Sequence, residues 1–359
     1  MLSRFDSISS IMSQIYQVQP PDEAQNKLPA SFLDNLKLNT VPIPVPGSGS
    51  VLVRIRAVAL NHRDLYIIAN SSIYPLRTKK GLIPCMDGAG EIVSTGPDSK
   101  WKDSIGEAVI VQPQTSWIDG DVSNFDIASC LGAGDVDGLL AQHVVVADDW
   151  LAKAPKNCSF EEAASLPCAG ATAFNILSSI DVGSGTTVVT QGTGGVSCFV
   201  IQFAAAMGAR VISTSSSSEK LRIASELGAS ELINYVTTPK WGDEVLRLTN
   251  GQGADLVTDV GGSATVEESI QALRQGGTAC LVGFLGPGKM TDIIASLLYK
   301  GKTLKGIIAF SKKMIEKTVE LVEHHNLHPR IKVFEWEDAH KAFEALKAGD
   351  FVGKIVIKV

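Results

Sequence analysis

Residues 186–220, TTVVTQGTGGVSCFVIQFAAAMGARVISTSSSSEK, constrain the fold more than any other part of the chain. Residues 186–190 are short, β-branched and apolar, as a buried parallel strand requires. The turn Gln191-Gly192-Thr193-Gly194-Gly195-Val196-Ser197 follows. Residues 198–207 are then apolar on nearly every face, which predicts a helix pressed onto a sheet. Gly208 ends it, because glycine accepts the left-handed conformation that closes a helix. A second strand is expected over residues 210–214. Strand, glycine turn, helix and strand in this order form the first half of a dinucleotide-binding unit.

The turn residues have physical tasks. Gly192 permits the tight exit from the strand. Gly194 removes the Cβ that would block a pyrophosphate. Gly195 and Val196 open the helix, whose free N–H groups and partial positive charge attract phosphates. The third position of the G-x-G-x-x-G pattern is Ser197, small but not glycine. Glycine turns alone are common; placement between a β-branched strand and an apolar helix makes this one specific. The alternative is a unit of the same shape that binds no nucleotide.

The tip of the second strand bears on cofactor choice. Residues 213–222 read STSSSSEKLR, with no carboxylate at the tip itself. An NAD site usually carries an acidic residue there to hold the ribose hydroxyls. Ser215, Ser216 and Lys220 would instead receive a 2′-phosphate, so NADP(H) is expected. The competing reading makes the serines a helix cap and Lys220 a solvated charge.

With 359 residues the chain has room for two domains. Its 45% hydrophobic and 19% charged residues fit a globular protein. A net charge of −6 gives no basis for binding nucleic acid or an anionic membrane, and neither partner is expected. No apolar run approaches the length of a membrane span. Cysteines 85, 130, 158, 168, 198 and 280 form no C-x-x-C pair, which predicts a reducing, cytoplasmic setting. Residues 1–11 lack the apolar core of a signal peptide and are expected to be a disordered extension.

To about residue 150 the pattern predicts a small β domain. Strands are expected over residues 51–60, 108–111 and 139–146, with a glycine-rich corner entering another at 83–93. Ser159 and Glu162 form a capping-box signature. From there helices and strands alternate: strands at 254–260, 278–282 and 304–308, and a helix at 264–273. This predicts an α/β fold with a doubly wound parallel sheet. A helix at 312–325, a strand at 331–334, a helix at 337–348 and a strand at 354–359 finish the chain. The last strand is similar in character to the first domain, so the C-terminus is expected to return to it.

Several motifs stand in a recurring order. They are Leu60-Asn61-His62-Arg63-Asp64-Leu65, Asp87-Gly88-Ala89-Gly90-Glu91-Ile92-Val93, Ser165-Leu166-Pro167-Cys168-Ala169-Gly170-Ala171-Thr172-Ala173, Gly283-Phe284 and Val352-Gly353-Lys354-Ile355-Val356. With the glycine turn they resemble the medium-chain dehydrogenase/reductase superfamily, and in particular its zinc-independent, quinone-oxidoreductase-like members. The resemblance implies a GroES-like β domain built from residues 12–160 and 310–359 around a Rossmann domain at 161–309. It also implies cofactor contacts at Tyr235, Gly261, Gly283, Phe284 and Lys354, a small-molecule substrate, and a homodimer paired through Rossmann strands.

Zinc-dependent relatives place Cys where Asn61 stands, His-Glu where Met86-Asp87 stand, and Cys at position 168. Only Cys168 matches. The four-cysteine lobe of the family is absent too, since Cys130 is the single cysteine between residues 86 and 157. Ligand count therefore argues against a metal, and Cys168 is expected as a small buried residue. Without a Lewis acid, alcohol oxidation is difficult. Hydride addition to an enone or quinone leaves a delocalised anion that hydrogen-bond donors can stabilise. Asn61, Tyr66 and Tyr74 are the candidate catalytic donors. His62 is the one histidine in a cleft motif, and Asp64 is expected as a structural acceptor. The expectation is an NADP(H)-dependent, metal-independent reductase of an activated C=C bond or quinone. An alcohol or aldehyde dehydrogenase of the same family and a non-catalytic NADPH-binding protein are the alternatives.

Overall fold

The computed structural model describes residues 12–25, 28–283 and 292–359. The extension expected at residues 1–11 and the expected cofactor contact Phe284 lie outside the described residues.

The first part of the chain is strand-rich because its apolar residues are mostly β-branched. β1 (Met12–Val18) and β2 (Leu36–Pro42) pair antiparallel as a separate ribbon. β3 (Ser50–Ala59) is followed by α1 (His62–Ile68), β4 (Asp87–Thr95), β5 (Ala108–Val111), β6 (His143–Ala147) and β7 (Leu151–Lys153). The strand expected at residues 139–146 begins only at His143. Upstream, Leu139 and Leu140 donate their N–H groups to the carbonyls of Cys85 (2.9 Å) and Pro84 (3.1 Å). They brace a corner in which Cys85 has φ of +70°.

The middle of the chain alternates helix and strand. The capping box is real: Glu162 N donates to Ser159 Oγ (3.2 Å) and Ser159 N to Glu162 Oε2 (2.9 Å). It opens α2 (Phe160–Ala164), which is followed by α3 (Ala171–Leu177). Then come β8 (Thr187–Gln191), α4 (Gly195–Ala206), β9 (Arg210–Ser215), α5 (Ser218–Glu226) and β10 (Glu231–Asn234). After α6 (Trp241–Leu248) run β11 (Ala254–Asp259), α7 (Val266–Ala272), β12 (Leu273–Leu281), α8 (Ile294–Leu298) and β13 (Thr303–Gly306). These six strands form one parallel sheet in the order β10-β9-β8-β11-β12-β13. β8 is buried at every residue, in keeping with the β-branched run Thr187–Thr190. α4 covers it with Phe199 and Phe203, whose rings lie 5.4 Å apart. Burying each ring contributes roughly 2–3 kcal/mol. β12 begins at Leu273 rather than near residue 278, because Leu273 already pairs with Ala254.

The chain then returns to the first sheet. α9 (Lys312–His324), β14 (Ile331–Glu335), α10 (Ala339–Ala348) and β15 (Lys354–Lys358) complete it. The sheet order is β14-β15-β3-β4-β5-β7, with β6 paired to β3. On the way, β15 meets the glycine turn. Gly353 N donates to Thr193 O (3.3 Å), and Gly194 and Gly353 form a parallel bridge. Among the described residues no helix is long and apolar enough to cross a membrane.

Candidate active site

The glycine turn lies at the carboxyl end of β8, beside the switch in strand order between β8 and β11 where open α/β sheets hold ligands. Gly192 has φ of +70°, which a glycine adopts without strain. A Cβ at Gly192 or Gly194 would meet nothing within 4 Å, so the space before both residues is open. Ser197 explains why the third motif position is not glycine: its buried Oγ donates to Gln191 O (2.7 Å) and closes the turn. α4 then presents its first N–H groups, which have no partner within the helix. This open turn and helix end fit the pyrophosphate of a dinucleotide.

A second wall of the crevice is tied to the first by Asp259, which no motif singled out. Its carboxylate is fully buried at the end of β11. Oδ1 accepts from Gly261 N (3.0 Å), Gly262 N (2.8 Å) and Thr265 Oγ1 (2.8 Å). Oδ2 accepts from Ser269 Oγ (2.6 Å), which in turn accepts from Gln191 Nε2 (2.6 Å). The expected contact Gly261 is thereby fixed against the glycine turn. The available signal was a carboxylate two residues before a glycine pair at a strand end. Gly283 follows β12 two residues on, and Val282 N donates to Asp259 O (2.8 Å).

At the tip of β9 the structure brings Ser215 and Tyr235 together through Tyr235 N and Ser215 O (3.1 Å). Ser216 is exposed, and the Tyr235 side chain is 41% exposed. Part of the competing reading also holds: Ser217 Oγ accepts from Lys220 N and caps α5 (3.3 Å). Lys220 Nζ reaches across to Gly349 O (3.1 Å), just before β15.

Between the domains lies a buried polar cluster. Lys354 Nζ donates to Leu60 O (2.7 Å) and Asn61 Oδ1 (2.7 Å), and stands 3.5 Å from Asp87 Oδ2. Asn61 Nδ2 donates to Asp87 Oδ2 (2.8 Å), and Cys168 N donates to Asp87 Oδ1 (3.1 Å). Lys354, expected as a cofactor contact, is 5% exposed with its ammonium held inside this cluster, and Asp87 is fully buried. Burial raises the Asp87 carboxyl, while Lys354, the Asn61 amide and Cys168 N–H pull it back. Asp64 is a structural acceptor: its Oδ2 takes the Asn61 N–H (2.8 Å) and helps fix the start of α1. Burial pushes its pKa up to about 6 against the pull of Arg63.

Of the expected donors, Asn61 sits inside this cluster. Tyr74 stacks beneath the Arg63 guanidinium, 5.2 Å from its ring centre, and is half-buried. Burial raises its hydroxyl pKa, with Arg63 opposing. Arg63 also donates to Leu131 O (2.8 Å) and Met86 Sδ (2.9 Å). Tyr66 lies apart from these contacts, its hydroxyl 3.2 Å from Nε2 of exposed His62. Cys168 is not fully buried as expected; it keeps some exposure. Its surroundings still push the thiol up to about 12, burial first and the Asp87 charge second.

These residues do not fit a zinc ion. Asn61 supplies an amide and Met86 a thioether already engaged by Arg63, which leaves Cys168 as the one zinc-type ligand of the three. A cation would also lie against the Lys354 ammonium. Among the described residues no group of three or more His, Cys, Asp or Glu is placed to hold a metal.

Comparison with known proteins agrees with the fold. The alcohol dehydrogenase GroES-like domain model matches residues 47–156, and the zinc-binding dehydrogenase model matches residues 195–324. The latter match includes none of Asn61, Met86, Asp87 and Cys168. A zinc-type alcohol dehydrogenase-like protein of Schizosaccharomyces pombe is 38% identical over 92% of this chain and 96% of its own length. The chain belongs to the medium-chain dehydrogenase/reductase superfamily. A candidate alcohol dehydrogenase of Sinorhizobium meliloti 1021, solved as a crystal structure, is 31% identical with a TM-score of 0.88. The match covers 98% of this chain and 100% of that one. A crystal structure of an NAD-dependent alcohol dehydrogenase is 30% identical with a TM-score of 0.83, covering 96% and 100%. The superfamily assignment makes the protein an oxidoreductase of a pyridine-nucleotide-dependent family. Its seven-stranded and six-stranded sheets are the GroES-like and Rossmann parts of that α/β fold.

Proposed function

We propose that this oxidoreductase is NADP(H)-dependent and metal-independent, and reduces an activated C=C bond or a quinone. The observation that carries the reading is the Lys354–Asn61–Asp87 cluster, where zinc-dependent relatives keep ligands. When bound, a reduced nicotinamide supplies a hydride: on an enone, a C–H bond forms at the β-carbon, the C=C electron pair moves to the oxygen as an enolate, and a solvent proton completes the ketone. Asn61 is the donor we assign to the developing oxyanion, with Tyr74, under Arg63, and Tyr66, beside exposed His62, as the other candidate donors. Such donors are effective because they are fixed before charge develops.

Ser215, Ser216 and Lys220 are assigned to the 2′-phosphate, supported by the absence of a carboxylate at the β9 tip. Gly192, Gly194, Gly195 and Val196 hold the pyrophosphate, with Gly261 and Gly283 lining the crevice. We assign the protein to the cytoplasm, where its six free thiols persist. We also propose a homodimer through β13, an edge strand beside exposed Ile294, Leu298, Tyr299 and Ile308.

The test is steady-state NADPH oxidation with a panel of enones, quinones and aldehydes, with and without a chelator. Chelator-insensitive turnover of enones or quinones supports the reading. The names of the relatives favour a second reading, an alcohol dehydrogenase; alcohol turnover abolished by chelation would establish it and sink the first. NADPH binding without turnover of any substrate would leave a nucleotide-binding protein.

A further inference from the structure

The Asn61 amide is held at both ends by opposite charges. Its Oδ1 accepts from the Lys354 ammonium at 2.7 Å, and its Nδ2 donates to the Asp87 carboxylate at 2.8 Å. Turning the amide over would set Nδ2 against Nζ and Oδ1 against Asp87, repulsive on both sides. The orientation is therefore determined by charge. One Nδ2 hydrogen is used by Asp87; the other has no acceptor among the described residues.

Lys354 is itself aimed from the glycine turn. Its stem packs on Gly195, where a Cβ would come within 2.7 Å of Lys354 Cδ. Gly353, with φ of +109°, carries the chain past Thr193, and Lys354 N donates to Arg330 O (3.0 Å). Gly195 is thus required by the lysine stem, whereas the space before Gly194 is open. An ammonium on Oδ1 withdraws electron density from the amide and strengthens the remaining N–H as a donor, in surroundings of low dielectric.

We propose that Lys354 is a positioning residue that orients and polarises Asn61, so that a fixed ammonium assists a substrate oxyanion through the amide in the place where zinc relatives use a metal. The inference rests on the reading that Asn61 donates to the substrate oxygen. It gives the site a preference for substrates whose oxygen gains full negative charge as hydride arrives, enones and quinones among them.

The experiment is a double-mutant cycle on the full chain with Lys354→Met, Asn61→Ala and the double variant. The readouts are NADPH dissociation constant by fluorescence titration, and kcat and KM with one enone and one quinone. Lys354→Met is expected to lower kcat about 10- to 100-fold while NADPH binding changes less than about threefold. In the Asn61→Ala background the same substitution should lower kcat less than about twofold, since the residue it acts through is gone. Losses that multiply would overturn the proposal. Should Lys354→Met lose NADPH binding, Lys354→Gln decides: it keeps a donor without the charge. A kcat at the parental level would then overturn the proposal, and a tenfold or greater loss with binding intact would support it. A parent that turns over neither substrate sinks the proposed function itself, an outcome distinct from an active parent with multiplying losses.

Discussion

Replacing Gly194 by alanine adds one methyl group to the turn between β8 and α4. The backbone there has φ of −75° and ψ of 179°, open to any L-residue. The new Cβ meets nothing within 4 Å. Two small effects on folding oppose each other. Alanine caps a helix less well than glycine by roughly 0.5 kcal/mol. Loss of glycine's freedom in the unfolded chain stabilises by about 0.4–1 kcal/mol. The melting temperature should therefore move by no more than about 2 °C. A pyrophosphate over the turn would meet the methyl directly and lose at least one hydrogen bond to a helix N–H. A hydrogen bond to a charged group contributes about 1.5–3 kcal/mol. NADPH should accordingly bind about 10- to 150-fold more weakly. Titration calorimetry with NADPH, alongside thermal melting, reads both quantities. An unchanged melting temperature with affinity within about twofold of the parent would refute the idea that phosphate lies over Gly194.

Lys220→Ala should weaken NADPH at least about tenfold and NADH less than about twofold, as loss of a phosphate cation predicts; equal changes in both constants would remove the 2′-phosphate assignment. Asp259→Ala leaves four donors without their acceptor. With each buried unpaired donor costing about 1–3 kcal/mol, a loss of at least about 4 kcal/mol in urea unfolding is expected, and a loss below about 1 kcal/mol would contradict the network. Burial lifts Asp64 from an ordinary 3.8 to about 6, so the folded protein keeps a proton that the unfolded chain releases. That contribution to stability is full below about pH 4 and is lost as pH rises through about 6. Asp64→Asn should flatten this slope in unfolding measured at several pH values, and parallel slopes for parent and variant would exclude it.

What could be read from the sequence follows the range of the interactions. The glycine turn, its strands and the Ser159 capping box are made by residues within one or two elements, so their patterns are local. Asn61 could be named as a candidate, but its two charged partners lie far along the chain, at Asp87 and Lys354. No spacing rule joins them. Residues 139–142 read as strand because they are apolar, but Leu139 and Leu140 donate to the Cys85 corner and the segment meets β1 and β3 only through single bonds, such as Gln142 N to Gln14 O and Ile55 N to Gln142 O. Lys220 could be named from the sequence as a candidate cation, but not as a partner of Gly349, which lies far along the chain. Asp259 escaped notice because a buried carboxylate serving backbone N–H groups has no motif of its own.

The position of β15 also governs when the protein can be completed during synthesis. Among the described strands it is the last in sequence, yet it lies inside the sheet that β3 begins, between β14 and β3. Before β15 is in place, the edge of β3 at Ala57–Ala59 is unpaired beyond the part covered by β6, and the Leu60 carbonyl lacks its lysine. The six-stranded sheet, continuous in sequence, has every strand it needs by Gly306. The six-stranded parallel half should therefore mature first, with the other sheet waiting unsealed. Arrest of translation just after α10 would yield a chain with a nearly finished glycine turn and no completed place for a substrate.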